Sequence, residues 1–534
     1  MNKELNEMRR KVYLAAVLTI GLLTLYRFFF FMPLPGIDQA AMAEILKKQA
    51  ANQEAPNQQW TGVAPGISFR QMGLPGPVKV FIARGDRSKD TWTIDSMTSM
   101  GTIKGGRETV PDMAKRYDDT VTFDGRRYEV KVAINGDYFN GGTGYAFGGQ
   151  IMAGWFVKRY DEANSGSGFF WTSDRRCAIG GYVDDGAKMQ RIIFADKSEM
   201  GIDKLNNTRK KDELAIYTPQ YDSNTGTSGD GVEVLVQVSE PVSLLPKPPG
   251  VRGTVVKIRE NAGATPLPFD CVVLSATGKA ADELLDHAHV GQDLYIHLGI
   301  KDAGIENIKP RPADWHNAYG SISDTQKLMI DGYISKHWEA KAAKYAAKGQ
   351  KHGSVVQDPR TAVAYNKDYV YFIVIDGRTE ESIGMTFTQT AEFCKNELKA
   401  DNAVMQDGGG SSTLWVDGKV MNVPSDRKKD DKNAKGGKPG VPRAVANGYL
   451  IALVHPPKFS QVLKAGQTVK AKGDIELKLG PGTQYGPAGK AASGAAGQIL
   501  KHSLDGVYAK GTNWWPVKFG EVEGWAPEGS LAAK

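Results

Sequence analysis

The sequence predicts an α+β protein: a mixed-sheet central domain with a few helices, a transmembrane helix before it and a small β-barrel after it. Three observations predict this. Segments alternating apolar and polar residues recur along the middle of the chain, interrupted by few stretches of helical pattern. An apolar run of bilayer length stands near the N-terminus. The chain breaks at His455-Pro456-Pro457, beyond which come short strands, glycine turns and Trp514, Trp515 and Trp525.

The 534 residues are 41% hydrophobic and 24% charged, which excludes a wholly disordered chain. The net charge of +7 is spread thinly. The densest basic stretch, Arg427 to Lys438, also holds Asp430, Asp431 and two glycines, so it reads as a solvated loop and not a nucleic-acid footprint. Cys177, Cys271 and Cys394 are far apart and form no CxxC motif; they read as small buried apolar residues. The 61 glycines exceed the usual share and call for special turns or close backbone approaches.

Val12 to Met32 is an apolar run in which Arg27 is the only charged residue, and Arg9-Arg10-Lys11 precede it. Basic residues before a span hold the N-terminus inside and send the rest of the chain out. Residues 1–35 are therefore expected to be a cytoplasmic tip and transmembrane signal anchor, retained because the run exceeds a cleavable h-region. Residues 36–66, rich in Ala, Gln, Asn and Pro, are expected to be a linker. A domain over 67–457 follows, and a small β unit over 458–534. Strands are expected at 78–83, 128–134, 231–238, 254–258, 369–375, 403–405 and 449–454. Helices are expected at 280–287, 337–347 and 388–398, the last capped by Thr388.

Three clusters carry candidate chemistry, each a carboxylate beside glycine at a strand end. They are Asn135-Gly136-Asp137, Asp376-Gly377-Arg378, and Asp407-Gly408-Gly409-Gly410-Ser411-Ser412-Thr413. Three successive glycines remove every Cβ, so backbone N–H groups can converge on an anion, with three hydroxyls beside them. The alternative is a tight turn capped by Asp407. Arg360, Arg378 and Arg443 stand near these clusters, and guanidinium forks suit phosphate. Acids, an anion nest and arginines together suggest acid–base hydrolysis of an anionic substrate. No cofactor motif is present, and the metal question is open: His287-Ala288-His289 lacks a third ligand, while oxygen-only coordination of Ca²⁺ or Mg²⁺ by Asp137 or Asp407 fits the residue types.

These clusters, with Val273-Leu274-Ser275-Ala276-Thr277-Gly278, Pro359-Arg360-Thr361-Ala362, Gly384-Met385-Thr386, Asn422-Val423-Pro424-Ser425 and Arg443-Ala444-Val445-Ala446-Asn447, resemble the phosphodiester glycosidase family in its order over about 77–455. Many bacterial members are labelled exopolysaccharide-related. The resemblance implies a glycosidase of the N-acetylglucosamine-1-phosphodiester α-N-acetylglucosaminidase type. It would remove a sugar from a sugar-1-phosphodiester by cleaving the anomeric C–O bond. Asp137, Asp376 or Asp407 would supply the acid or base. Gly136, Arg360, Arg378, Arg443 and the loop from Gly408 to Thr413 would hold substrate and its phosphate, and Asn135 and Asn447 sugar hydroxyls. The family's first motif usually has glycine where this chain has Asp137, and Asp426 to Val441 is an insertion. The alternatives are a phosphodiesterase cleaving P–O and a non-catalytic glycan-binding envelope protein.

The tail, through Leu477 to Thr483, Trp514-Trp515-Pro516-Val517 and Gly524-Trp525-Ala526, resembles bacterial SH3-like wall-binding modules. Residues 9–41 resemble the first span of SecY-type translocation channels. Together these imply a membrane-anchored, extracytoplasmic hydrolase of the cell envelope. Its partners would be a phosphodiester-containing glycan as substrate, wall or surface polysaccharide through the C-terminal domain, and the membrane, with no nucleic acid.

Overall fold

The structure, a computed structural model, describes residues 59–160, 168–180, 183–184, 189–244, 250–302, 314–315, 317–323, 326–426 and 440–534. An eight-stranded sheet orders its strands Thr61–Ala64, Ile67–Leu74, Val78–Asp86, Tyr369–Ile375, Arg360–Tyr365, Asn402–Met405, Gln326–Ile330 and Tyr333–Ile334. A five-stranded sheet orders Lys419–Val420, Leu414–Val416, Arg127–Asn135, Asn447–His455 and Trp92–Thr98. Every pairing in both is antiparallel.

The two sheets share one core. Phe81, Phe372, Val374 and Val404 of the larger meet Ile94, Val132, Ile134, Leu414 and Ile451 of the smaller. Each such side chain contributes about 1.5–3 kcal/mol when fully buried. Ile373 and Ile375 point to the other face and pack against Phe387, Ala391 and Cys394 of the helix Phe387–Asn396. On the far side of the smaller sheet the helix Val110–Tyr117 sets Val110, Met113 and Ala114 against Val130, Ala133 and Leu450. Covering on both faces explains why Tyr369–Ile375 reads as a continuous apolar run.

Residues 190–298 build a second eight-stranded sheet with its own core, in which Val234, Leu274, Leu294 and Leu298 meet Leu284 of the helix Lys279–His287. The C-terminal residues form a third, around Val469, Leu477, Trp515 and Val517. Trp514 and Trp525 of that sheet pack with Val121 and Phe269, so Asn57–Lys534 is one compact unit.

The α+β expectation is corrected here: the protein is mostly β, 44% strand against 11% helix. The described helices, Val110–Tyr117, Lys279–His287, His337–Ala346 and Phe387–Asn396, are short, eight to ten residues each. Many strands are only two to five residues long and glycine-flanked, too short to show a period. None of the described helices is long and apolar enough to cross a membrane. The transmembrane anchor expected at 1–35, and the linker up to residue 58, lie outside the described residues; the end of the linker segment forms the strand Thr61–Ala64. The helix near 388 starts earlier than expected. Thr386 caps it, accepting from the Gln389 N–H at 3.2 Å while the Gln389 side chain accepts from the Thr386 N–H at 2.9 Å. All three cysteines are free thiols, and burial pushes Cys177 and Cys394 up to about 12.

Candidate active site

The three carboxylate clusters come from different strand ends that meet at one edge of the two-sheet body. Asn135 ends the strand Arg127–Asn135, and Asn447 begins its neighbour, in register with Thr98. Asp376 follows the last residue of Tyr369–Ile375, and Asp407 lies two residues beyond Met405. The Asp407 N–H donates to the Gly136 carbonyl at 2.9 Å, tying the two sheets together at this edge, while the Gln406 N–H continues the larger sheet's own ladder to the Thr361 carbonyl at 2.8 Å.

Asn135 is the fastener. Its Oδ1 accepts from the Thr361 hydroxyl at 2.8 Å and the Thr413 N–H at 3.2 Å, and its Nδ2 donates to the Asp407 carbonyl at 2.7 Å. Asn447 does the same beside it: Oδ1 accepts from the Asp137 N–H at 2.9 Å and Nδ2 donates to Gln150 Oε1 at 3.2 Å. Both side chains are fully buried, and these bonds go to the framework, which gives them a positioning role.

The three aspartates differ in environment. Asp137 accepts from the Tyr138 N–H, the Gly148 N–H and the Ser323 hydroxyl, each at 2.6 Å, so its lone pairs hold the turn together. Asp376 accepts from Asn422 Nδ2 and the Val423 N–H at 3.1 Å, and Asn422 also holds the Ser412 carbonyl and the Leu414 N–H. Burial pushes Asp376 up to about 6 against those bonds. Asp407 accepts from the Ser411 hydroxyl at 2.5 Å. Burial raises it too to about 6, opposed by Ser411, the Arg443 charge, the Gly408 N–H and the Arg378 charge. Of the three, Asp407 is the carboxylate flanked by arginines, with a working range near neutrality.

The arginines crowd the glycine loop. A Cβ on Gly409 would lie 2.9 Å from Arg378 Nη2, and one on Gly410 only 2.1 Å from Arg443 Nη2 and from Asp426 Oδ1. On Gly408 it would meet the Pro359 carbonyl at 2.7 Å. The loop N–H groups turn inward: Gly409 donates to the Pro359 carbonyl at 2.9 Å, and Ser411 and Ser412 to the Gly408 and Gly409 carbonyls at 3.2 and 3.3 Å. Bare backbone here therefore lets guanidinium groups approach, and the cations do the work expected of an N–H nest. The Ser412 and Thr361 hydroxyls lie 3.1 Å apart, with Thr361 the acceptor because its proton goes to Asn135, and Thr413 is buried with its hydroxyl unpartnered.

Arg378 is bidentate to Asp358 at 2.7 and 2.9 Å, and Arg443 to Asp426 at 2.8 Å on both oxygens. Arg360 is different. It is 5% exposed, stacks on Phe387 at 4.8 Å and donates to the Met385, Gly353 and Val356 carbonyls. It has no carboxylate within ion-pair distance among the described residues. Burial lowers its pKa, yet a guanidinium stays charged. A buried cation without an anion of its own attracts one.

Four further residues belong here. Tyr138 stands over the site, 43% exposed, with its hydroxyl raised by burial and by the Asp407 charge. Asp358, Thr361 and Asn422 hold Arg378, Asn135 and Asp376 respectively. Thr361 and Asn422 stand in the family-like blocks, a signal that could have found them; Asp358 left no mark beyond preceding Pro359. A cavity of about 170 Å³ adjoins the site, sharing Gly148 and Ala446, with Gln150, Tyr145, Asn206 and Asn207 in its wall. Among the described residues, no group of three or more His, Cys, Asp or Glu is arranged to hold a metal ion.

The geometry defines an arrangement: an antiparallel β framework that sets a carboxylate raised by burial to about 6 beside two arginines. Residues 250–452 match the family model for phosphodiester glycosidase. That span includes Arg360, Asp376, Arg378, Asp407, Arg443 and Asn447; Asn135 and Asp137 precede it but converge on it. No curated protein matches the chain. Three of the similar solved structures are these. A hypothetical protein from Synechocystis is 15% identical with a TM-score of 0.48, covering 75% of this chain and 64% of its own. This chain thus spans under two thirds of that structure. A putative exported protein from Burkholderia pseudomallei K96243 is 17% identical, with a TM-score of 0.42, over 71% of this chain and 74% of its own. The zebrafish N-acetylglucosamine-1-phosphodiester alpha-N-acetylglucosaminidase catalytic domain, auto-inhibited by its pro-peptide, is 16% identical, with a TM-score of 0.37, over 76% and 85%.

Proposed function

We propose that the protein hydrolyses a sugar-1-phosphodiester at the anomeric C–O bond, releasing the sugar and leaving the phosphate on the other product. The observation that carries this reading is Asp407, raised by burial to about 6 beside Arg378 and Arg443 in a segment matching the phosphodiester glycosidase model. Asp407 acts as base: above its pKa it takes a proton from the attacking water. Arg360, Arg378 and Arg443 stabilise the phosphate, whose charge grows as the C–O bond breaks. Partial burial strengthens that interaction over its value in water. A phosphate leaving group needs little protonation, so no strong acid is required opposite the base. Asp137 and Asp376 position the turns around it. Tyr138 and the adjoining cavity offer an aromatic surface and amides for the sugar.

The further setting is also proposed. The apolar run Val12 to Met32 after Arg9-Arg10-Lys11 is the support for a membrane-anchored location outside the cytoplasm, where the substrate would be an envelope or extracellular polysaccharide. The tryptophan-rich C-terminal sheet would hold wall or surface glycan. Incubation of the full chain with an N-acetylglucosamine-1-phosphodiester tests the reaction: free sugar and a phosphomonoester are expected, and an unchanged substrate with every sugar phosphodiester tried would overturn it.

A further inference from the structure

We propose that a second cavity, away from the carboxylate–arginine site, binds one or two neutral sugar rings. It has a volume of about 290 Å³ and lies where three parts of the fold meet. The two-sheet body contributes Asp95 and Tyr128, the lobe built on residues 190–298 contributes Gln220 and Phe269 with Trp155 packed on its core, and the C-terminal sheet Gln484 and Tyr485. That size is near the lower end of small-molecule sites, about 300 Å³.

Two features of the wall specify the ligand. Trp155, Phe123, Phe269 and Tyr485 form a ladder with ring centroids 6.0, 5.8 and 6.0 Å apart, a surface that suits the C–H faces of a sugar. Against it stand two buried amide oxygens without donors, Gln220 Oε1 and Gln484 Oε1; the Gln220 side chain belongs to a residue only 8% exposed. A buried acceptor without a donor is costly, so an apolar ligand would leave both unsatisfied. Hydroxyl groups supply the missing donors. Among the described residues the only cation in the wall is Arg116, and it is spent on Glu108 at 2.9–3.0 Å. A phosphate would also meet the carboxyl groups of Asp95 and Asp222 in the same wall, which favours a neutral polyhydroxyl ligand.

The inference does not depend on the reaction proposed above, and its test keeps the two apart. Neutral mono- and disaccharides of glucose, galactose and N-acetylglucosamine are titrated into the full chain, read by saturation-transfer NMR and tryptophan fluorescence. At least one should bind. Gln220→Leu, which removes the acceptor, and Thr102→Trp, which adds bulk at a half-buried wall position, should each weaken it at least fivefold. Asp407→Asn should leave it unchanged. Thr102→Trp decides alone if Gln220→Leu does not fold. Absence of binding across the panel, wild-type affinity in the folded variants, or loss of binding in Asp407→Asn would overturn the proposal.

Discussion

Asn135 donates to the main-chain carbonyl of Asp407 at 2.7 Å, a bond that joins residues 272 positions apart. With its Oδ1 held by Thr361 and Thr413, it clamps the end of the five-stranded sheet to the loop that carries the base. Asn135→Ala should therefore lower stability by roughly 1–3 kcal/mol, the cost of leaving buried partners unsatisfied. It should lower kcat more than it raises KM, because it moves the base and not the arginines. Urea unfolding and steady-state kinetics check both; an intact kcat in the folded variant contradicts the clamp.

The aspartates should separate by role. Asp407→Asn is expected to reduce kcat by about 10²–10⁴, the usual contribution of a general base. Asp376→Asn keeps an oxygen for the Val423 N–H and should retain most activity, with its effect on thermal stability. Similar kcat losses in both variants would contradict the assignment of the base to Asp407.

Glycine at 409 and 410 answers to arginine. Gly410→Ala would place a methyl 2.1 Å from Arg443 Nη2 and displace the Arg443–Asp426 pair. Gly409 has φ of +62°, so an alanine there is strained as well as crowded by Arg378. Both should raise KM for a phosphodiester about tenfold or more while binding of a neutral sugar is unaffected. Arg443→Ala should match Gly410→Ala in KM. A Gly410→Ala enzyme with wild-type KM would remove the reason given for the glycines.

A pH effect on stability follows from burial of acids. Burial pushes Asp95 up to about 7, and Asp376 and Asp407 up to about 6, from an unfolded value near 3.8. Between those values the native state holds more protons than the unfolded one. Their contribution is fully present below pH about 4 and is lost as pH rises through 6 to 7. Asp95→Asn should flatten that loss, since Asn still accepts from the Ser96 and Ala153 N–H groups, both at 2.8 Å. Urea unfolding of both proteins at pH 5 and pH 8 reads it: the stability gap should move in favour of the variant at pH 8, and an unchanged gap contradicts the linkage.

The sequence carried much of the sheet framework. Every expected strand, from Val78 to Val454, lies inside an observed one to within a residue, because alternation or a continuous apolar run marks a strand that meets a core. Trp92–Thr98 and Arg360–Tyr365 left no such trace, since both are buried on both faces and carry polar residues inside: Asp95, Ser96 and Thr361 are satisfied by bonds from elsewhere in the chain. The α+β expectation fell short on strand and not on helix, because two- and three-residue strands have no period to detect. At the site, residue types beside glycine pointed to the three clusters, but the use of those glycines depended on Asp358 and Asp426, whose ion pairs only the folded chain shows.

The most direct test of the central claim follows the oxygen. A sugar-1-phosphodiester is turned over by the full chain in ¹⁸O-water, and the products are weighed by mass spectrometry. The account predicts one ¹⁸O at the anomeric hydroxyl of the released sugar and none in the phosphomonoester. Label in the phosphate would contradict it, by showing that the P–O bond is the one that breaks.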